Sequence, residues 1–181
     1  MIASTVIVAG ITRSGLSLTM QMLSAGGYPC KGEWPAFEPF QIGRIPWSEC
    51  KGFAVKLIDP QRRFPPPGDY RIIRLSRDLR EQAKSFNQFN AAFGFPPVPA
   101  GRLIKSFKRD YRVIDKWARR HRTMRLDFET IITDTTHAAE MISTFVRAEL
   151  DIEKMVACVV VRNPECHPGL LELSLIQKGL A

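Results

Sequence analysis

The chain of 181 residues has little of what marks several common protein classes. Its four cysteines, Cys30, Cys50, Cys158 and Cys166, show no C-x-x-C spacing, and only Cys166-His167 sets a cysteine beside a histidine. Metal sites need clustered ligands, and disulfide frameworks belong to shorter chains, so neither is expected. Four free thiols point to a reducing, cytoplasmic compartment. No apolar run approaches the ~20 residues that span a membrane. The opening MIASTVIVAGITRSG lacks a basic leader and a cleavage pattern, and its apolar stretch reads as a strand. There are three histidines, His121, His137 and His167, all in the last third of the chain. Acidic residues number 18 against 26 basic ones, a net charge of +8 at pH 7. Such a surface attracts anions: nucleotides, sulfated or phosphorylated ligands, acidic partners or nucleic acid.

What is present is an alternation of element types. Residues 4–10 are apolar and β-branched and read as a buried strand, and 15–25 as a helix stopped by Gly26-Gly27. Residues 28–50, with four prolines and scattered aromatics, read as a long irregular loop of the kind that carries function. Further strands are expected at 53–58, 70–75 and 123–128. Helices are expected at 78–93, 102–121 and 136–150, with VACVVV at 156–161 as a strand or a buried helix end. Strands alternating with helices make a parallel sheet with crossover helices. The expectation is an α/β, three-layer P-loop-type fold in one domain over 1–181, with ligands at the C-terminal strand ends.

One absence carries the functional argument. GITRSGLS, residues 10–17, matches the phosphate-loop pattern G-x-x-x-x-G-K-[ST] at Gly10, Gly15 and Ser17, but Leu16 replaces the lysine. Strand, glycine turn and helix in that order supply the required context. Backbone N–H groups from Ser14 to Leu18 converge at a helix N-terminus, where the dipole favours an anion, and Ser17 adds a hydroxyl. Losing the lysine argues against ordinary ATP or GTP hydrolysis, because it removes the cation that meets the β/γ oxygens. Arg13, inside the loop, still offers a planar cation to a phosphate or sulfate oxygen.

Thr12-Arg13-Ser14-Gly15-Leu16-Ser17-Leu18 after Gly10 resembles the 5′-phosphosulfate loop of sulfotransferases, which use 3′-phosphoadenosine-5′-phosphosulfate (PAPS) and release 3′-phosphoadenosine-5′-phosphate (PAP). The family's Pro-[Lys/Arg]-Ser-Gly-Thr-[Thr/Ser] differs at Thr12 and Leu16, and the second difference removes a hydroxyl contact to the donor. The family also places an arginine after the third strand and a serine eight residues on, holding the 3′-phosphate. YRIIRLSRDLREQAKSF gives Arg77 and Ser85 at that spacing, and Arg77-Asp78-Leu79-Arg80-Glu81 resembles bacterial members. Leu126-Asp127-Phe128-Glu129 and the later Phe145 are similar to further family stretches, so the likeness runs in patches over residues 4–147. The resemblance implies a PAPS-dependent sulfotransferase acting on a small-molecule or polymeric hydroxyl or amine acceptor, with no metal.

The acceptor must lose a proton, which calls for a base near the loop. The histidines lie far downstream of the position many cytosolic members use. The tyrosylprotein sulfotransferase branch uses a glutamate, and its Cys-Gly-Glu-Glu falls without gaps on Lys31-Gly32-Glu33-Trp34. Glu33 is therefore the expected base, shielded by Trp34, with Glu38 in reserve. Lys56, near the end of the second strand, would stabilise the transferring sulfuryl group or, as an ordinary strand lysine, reach out to solvent. Two other readings stand beside this one. A kinase with a degenerate loop would use Asp127 for magnesium. A non-catalytic module would track nucleic-acid phosphates with the basic helix Lys105–Arg122, which is more simply a solvated face.

Overall fold

A computed structural model describes residues 4–38 and 45–159. Ten regular elements follow one another: β1 (Thr5–Gly10), α1 (Leu16–Ala25), β2 (Ala54–Ile58), β3 (Tyr70–Ser76), α2 (Leu79–Ala92), α3 (Ala100–Ala118), β4 (Arg122–Asp127), α4 (Phe128–Thr133), α5 (Thr135–Val146) and α6 (Ile152–Ala157). The four strands form one sheet in the order β2-β1-β3-β4, with every pairing parallel. The fold is a three-layer α/β sandwich.

Strand periodicity divides the core in two. Val6, Val8, Ala54, Ile73, Leu75 and Leu126 face α1, α5 and α6, which contribute Met20, Leu23, Ala138, Ile142 and Met155. Ile7, Ala9, Leu57, Tyr70 and Ile72 face α2 and α3, which contribute Ala83, Leu103, Phe107, Ile114 and Trp117. β1 is buried along its whole length because it lies between two strands and two helical layers, which explains its unbroken apolar run.

Boundaries moved where local chemistry overrode periodicity. Pro99 sits at the N-cap of α3, so that helix starts at Ala100. It ends at Ala118, and His121 falls in the following turn, its ring 5.6 Å from Trp117 and 5.5 Å from Tyr70. The helix expected over 136–150 stops at Val146, where Arg147 turns left-handed at φ 57°. In the tail, Val156 and Ala157 form the end of α6, the helical of the two alternatives. Val160, Val161, Cys166 and His167 lie outside the described residues. Cys30, Cys50 and Cys158 are free thiols. Among the described residues no helix is long and apolar enough to cross a membrane.

The start of the long loop is tied to the sheet rather than loose. Lys31 N donates to Ala54 O (2.8 Å) and Ala54 N to Pro29 O (2.7 Å). Phe37, 3% exposed, plugs into the α1 side of the core. That anchoring brings residues 31–38 against the first turn of α1.

Candidate functional site

The turn between β1 and α1 is held from both sides. Thr12 N donates to Asp59 Oδ1 (3.0 Å), just beyond β2, and Asp59 N to Gly10 O (2.9 Å). From α2, Gln82 Nε2 donates to Thr12 O (2.8 Å), while Gln82 Oε1 accepts from the Tyr111 hydroxyl (3.0 Å). Arg13 adopts φ 67° and Gly15 φ 95°. A left-handed arginine costs of order 1–3 kcal/mol, a strain typical of ligand-binding turns. Ser14 N closes onto Ile11 O (3.2 Å), so the N–H groups of Gly15, Leu16, Ser17 and Leu18 are the ones left without an intrahelical carbonyl. No side chain caps this helix and its first turn holds no acid, so its positive end is uncompensated.

Two guanidiniums flank the turn. Arg13 Nε donates to Ser85 Oγ (3.1 Å) on α2. Arg77 Nη1 donates to Arg13 O (3.3 Å). Arg13 lies 5.0 Å from the centre of the Phe89 ring, and Arg77 4.4 Å from that of Phe128. A ring on one face of a guanidinium holds its plane in place. Burial lowers the Arg77 pKa; Glu129 opposes this, and the Arg13 charge lowers it further. Two like charges this close stabilise an anion placed between them. Buried Ser14 Oγ and Arg77 Nε have no hydrogen-bond partner among the described residues. Such orphaned donors are rare in folded proteins, and a water or an anion at this turn would satisfy them. A bisphosphate nucleotide fits this chemistry: helix N–H groups and a hydroxyl for one phosphate, guanidinium and hydroxyl for another.

A third cation enters from β2. Lys56 is 2% exposed, so the solvent-reaching alternative does not hold. The residue shares its strand face with Ala54, which turns it toward α1. Lys56 Nζ donates to Ser17 Oγ (3.2 Å), Ala36 O (2.5 Å) and Glu38 Oε1 (2.5 Å). The neighbouring strand thus brings a lysine to the first turn of α1, one residue from Leu16.

The two glutamates are placed differently. Glu33 is exposed, and its carboxylate makes no hydrogen bond or ion pair among the described residues. Trp34 is 56% exposed and packs its ring edge against Phe37 (5.8 Å) instead of covering Glu33. Glu38, the reserve, meets Lys56. Asp127 accepts a hydrogen bond from Ser76 Oγ at the end of the neighbouring strand. His121 and His137 lie on α3–β4 and α5, not at the loop.

Gln82, Phe89 and Asp59 belong to no motif of the sequence, and Phe128 stands there only within the Leu126–Glu129 stretch. A signal for two of them was present: 82, 85 and 89 recur at helical spacing, so Gln82 and Phe89 share a face with Ser85. Asp59 and Phe128 carried no such signal, because their positions depend on how loops close over neighbouring strands.

No protein-family model and no curated protein matches the sequence. Solved structures do match. The mouse sulfotransferase SULT7A1 complexed with PAP aligns with a TM-score of 0.56 at 11% identity, over 91% of this chain and 70% of that one. Retinol dehydratase, in complex with androsterone and the inactive cofactor PAP, gives 0.57 at 16% identity, over 84% of this chain and 62% of the other. This chain therefore has the α/β fold of PAP-bound sulfotransferases, in a shorter span.

Proposed function

We propose that this protein is a PAPS-dependent sulfotransferase, moving a sulfuryl group to a hydroxyl or amine acceptor. Supporting the reading are the N–H groups of Gly15–Leu18 and Arg13, suited to the 5′-phosphosulfate, and Arg77 with Ser85, suited to the 3′-phosphate. When bound, the donor supplies the sulfuryl group and a phosphate leaving group. Arg13 and Lys56 offset the negative charge that develops between them. Glu38, rather than Glu33, accepts the acceptor's proton, since it is the carboxylate that reaches the Lys56 ammonium. The chemistry needs no metal.

The observation that carries this reading is the convergence of Arg13, Arg77, Ser85 and the orphaned Ser14 hydroxyl on one turn. A 3′-phosphate gripped by a guanidinium and a hydroxyl is the feature that separates PAP from other adenine nucleotides. Calorimetry with 3′,5′-ADP, 5′-ADP and ATP–magnesium tests it. Each charge-assisted hydrogen bond is worth about 1.5–3 kcal/mol, so 3′,5′-ADP binds roughly a hundredfold more tightly than 5′-ADP. Preference for ATP–magnesium favours a kinase instead. A steeply salt-dependent response to oligonucleotides alone favours the nucleic-acid module.

A further inference from the structure

Lys56 has an almost fully buried ammonium, its side chain 1% exposed, whereas the Glu38 side chain that meets it is 60% exposed. A buried ammonium without a counter-charge is costly, so some anion belongs at that spot. Two of the Lys56 contacts are built into the scaffold. Ser17 stands in the first turn of α1, and the Ala36 carbonyl sits on a backbone pinned by Gln21 Nε2 to Pro35 O (2.8 Å) and by buried Phe37. Another, the Glu38 carboxylate, reaches in from the rim on a side chain most of which faces water. It lies beside Ser17, next to the N–H groups that would hold a 5′-phosphate. That is where a group attached to this phosphate would project.

We infer that the Glu38 carboxylate is an internal stand-in for the sulfuryl group, exchanged for it at the Lys56 ammonium when donor binds. The inference rests on the donor reading above and gives that site a means of telling donor from product. The bisphosphate product has nothing to offer Lys56 beyond its 5′-phosphate, so Glu38 stays paired. The phosphosulfate brings an extra anionic group and competes with Glu38 for one cation. Displaced, the carboxylate lies beside the reacting centre without its counter-ion, oriented for its second role. There the acceptor O–H proton passes to a Glu38 oxygen and the acceptor oxygen–sulfur bond forms. The bridging sulfur–oxygen bond breaks, leaving its electron pair on the 5′-phosphate. Glu38 then gives the proton to water and returns to Lys56, refilling the place the sulfuryl group has left.

The test is calorimetric titration of PAPS and of 3′,5′-ADP, separately, into wild type, E38Q, E33Q, K56M and the E38Q/K56M double variant. Removing the competing charge in E38Q is expected to tighten PAPS roughly five- to tenfold, while 3′,5′-ADP stays within about twofold of wild type. K56M weakens PAPS more than 3′,5′-ADP and abolishes the gain from E38Q, and its far-UV circular dichroism shows that it is folded. E33Q behaves as wild type. An unchanged ratio of PAPS to 3′,5′-ADP affinity in E38Q overturns the stand-in while leaving the donor reading intact. Failure of wild type to bind either nucleotide overturns the donor reading and this inference with it.

Discussion

A side chain added at Gly10 would place its Cβ 2.5 Å from Ser14 Oγ and 3.2 Å from Leu75 O. At Gly15 it would meet the Phe128 ring at 2.6 Å, on a backbone already at φ 95°. These contacts explain why the loop needs glycine at both ends. Gly15→Ala is expected to cost about 1–3 kcal/mol in chemical denaturation, from the left-handed backbone alone; an unchanged midpoint would refute the crowding. Ser14→Ala should behave in the opposite way. Its hydroxyl is buried and unpartnered, so the variant without ligand is expected to be as stable as wild type or slightly more so. Its affinity for 3′,5′-ADP should fall roughly tenfold, the value of one lost hydrogen bond to a charged group. Equal affinity would show that the hydroxyl does not face the ligand. Gly10, Gly15 and Ser17 stood out by spacing, and Arg13 by its place between them. The contact of Glu38 with Lys56 did not. It depends on Phe37, which takes φ 52° and buries its ring, so that the chain turns back toward Lys56 immediately afterwards. No residue type announces that reversal.

α2 is the element that carries the second half of the site. Asp78 caps it, accepting from Arg80 N and Glu81 N, and fixes its start next to Arg77. From there Gln82, Ser85 and Phe89 follow on one face toward the loop. The buried chain from Thr12 through Gln82 to Tyr111 ends under Arg74, whose guanidinium is 4.5 Å from the Tyr111 ring centre and 2.8 Å from Asp115. Gln82→Ala leaves Thr12 O and the Tyr111 hydroxyl without this partner and is expected to cost about 1–3 kcal/mol, measurable by urea unfolding. Burial pushes the Tyr111 hydroxyl up to about 12. The folded value lies above that of the unfolded chain, near 10. Its contribution is therefore complete below pH 10 and is lost as the pH rises through 12. Unfolding measured from pH 9 to 12 should decline less in Tyr111→Phe, by about 2–3 kcal/mol over the range. Cys30, also raised to about 12 by burial, adds the same decline to both proteins and cancels in the difference. Identical slopes would contradict the burial of that hydroxyl. The strands and the four longer helices could be read from periodicity, whereas the short α4 and α6 could not. The ends of α1 and α2 fell within a residue of expectation; those of α3 and α5 did not, because Pro99 and the turn at Arg147 decide them locally.

At the scale of the whole molecule, parallel strands order the elements so that the first turn of α1, the end of β2 and the β3–α2 junction meet at one edge of the sheet. That arrangement was implied by the alternation of strands and helices, although the strand order itself was not. The chain carries a net charge of +8 and sets Arg13, Arg77 and Lys56 at this edge, so nucleotide affinity should fall as salt rises from 50 to 500 mM, with a steeper slope for 3′,5′-ADP than for 5′-ADP. Equal slopes would mean that the second phosphate meets no cation. The most direct measurement is a crystal structure with 3′,5′-ADP bound. We expect the 5′-phosphate over the N–H groups of Gly15–Leu18, the 3′-phosphate within hydrogen-bond distance of Arg77 and Ser85, and Glu38 still paired with Lys56. A nucleotide whose 3′-phosphate touches neither Arg77 nor Ser85, or one seated away from the β1–α1 turn, would contradict this expectation.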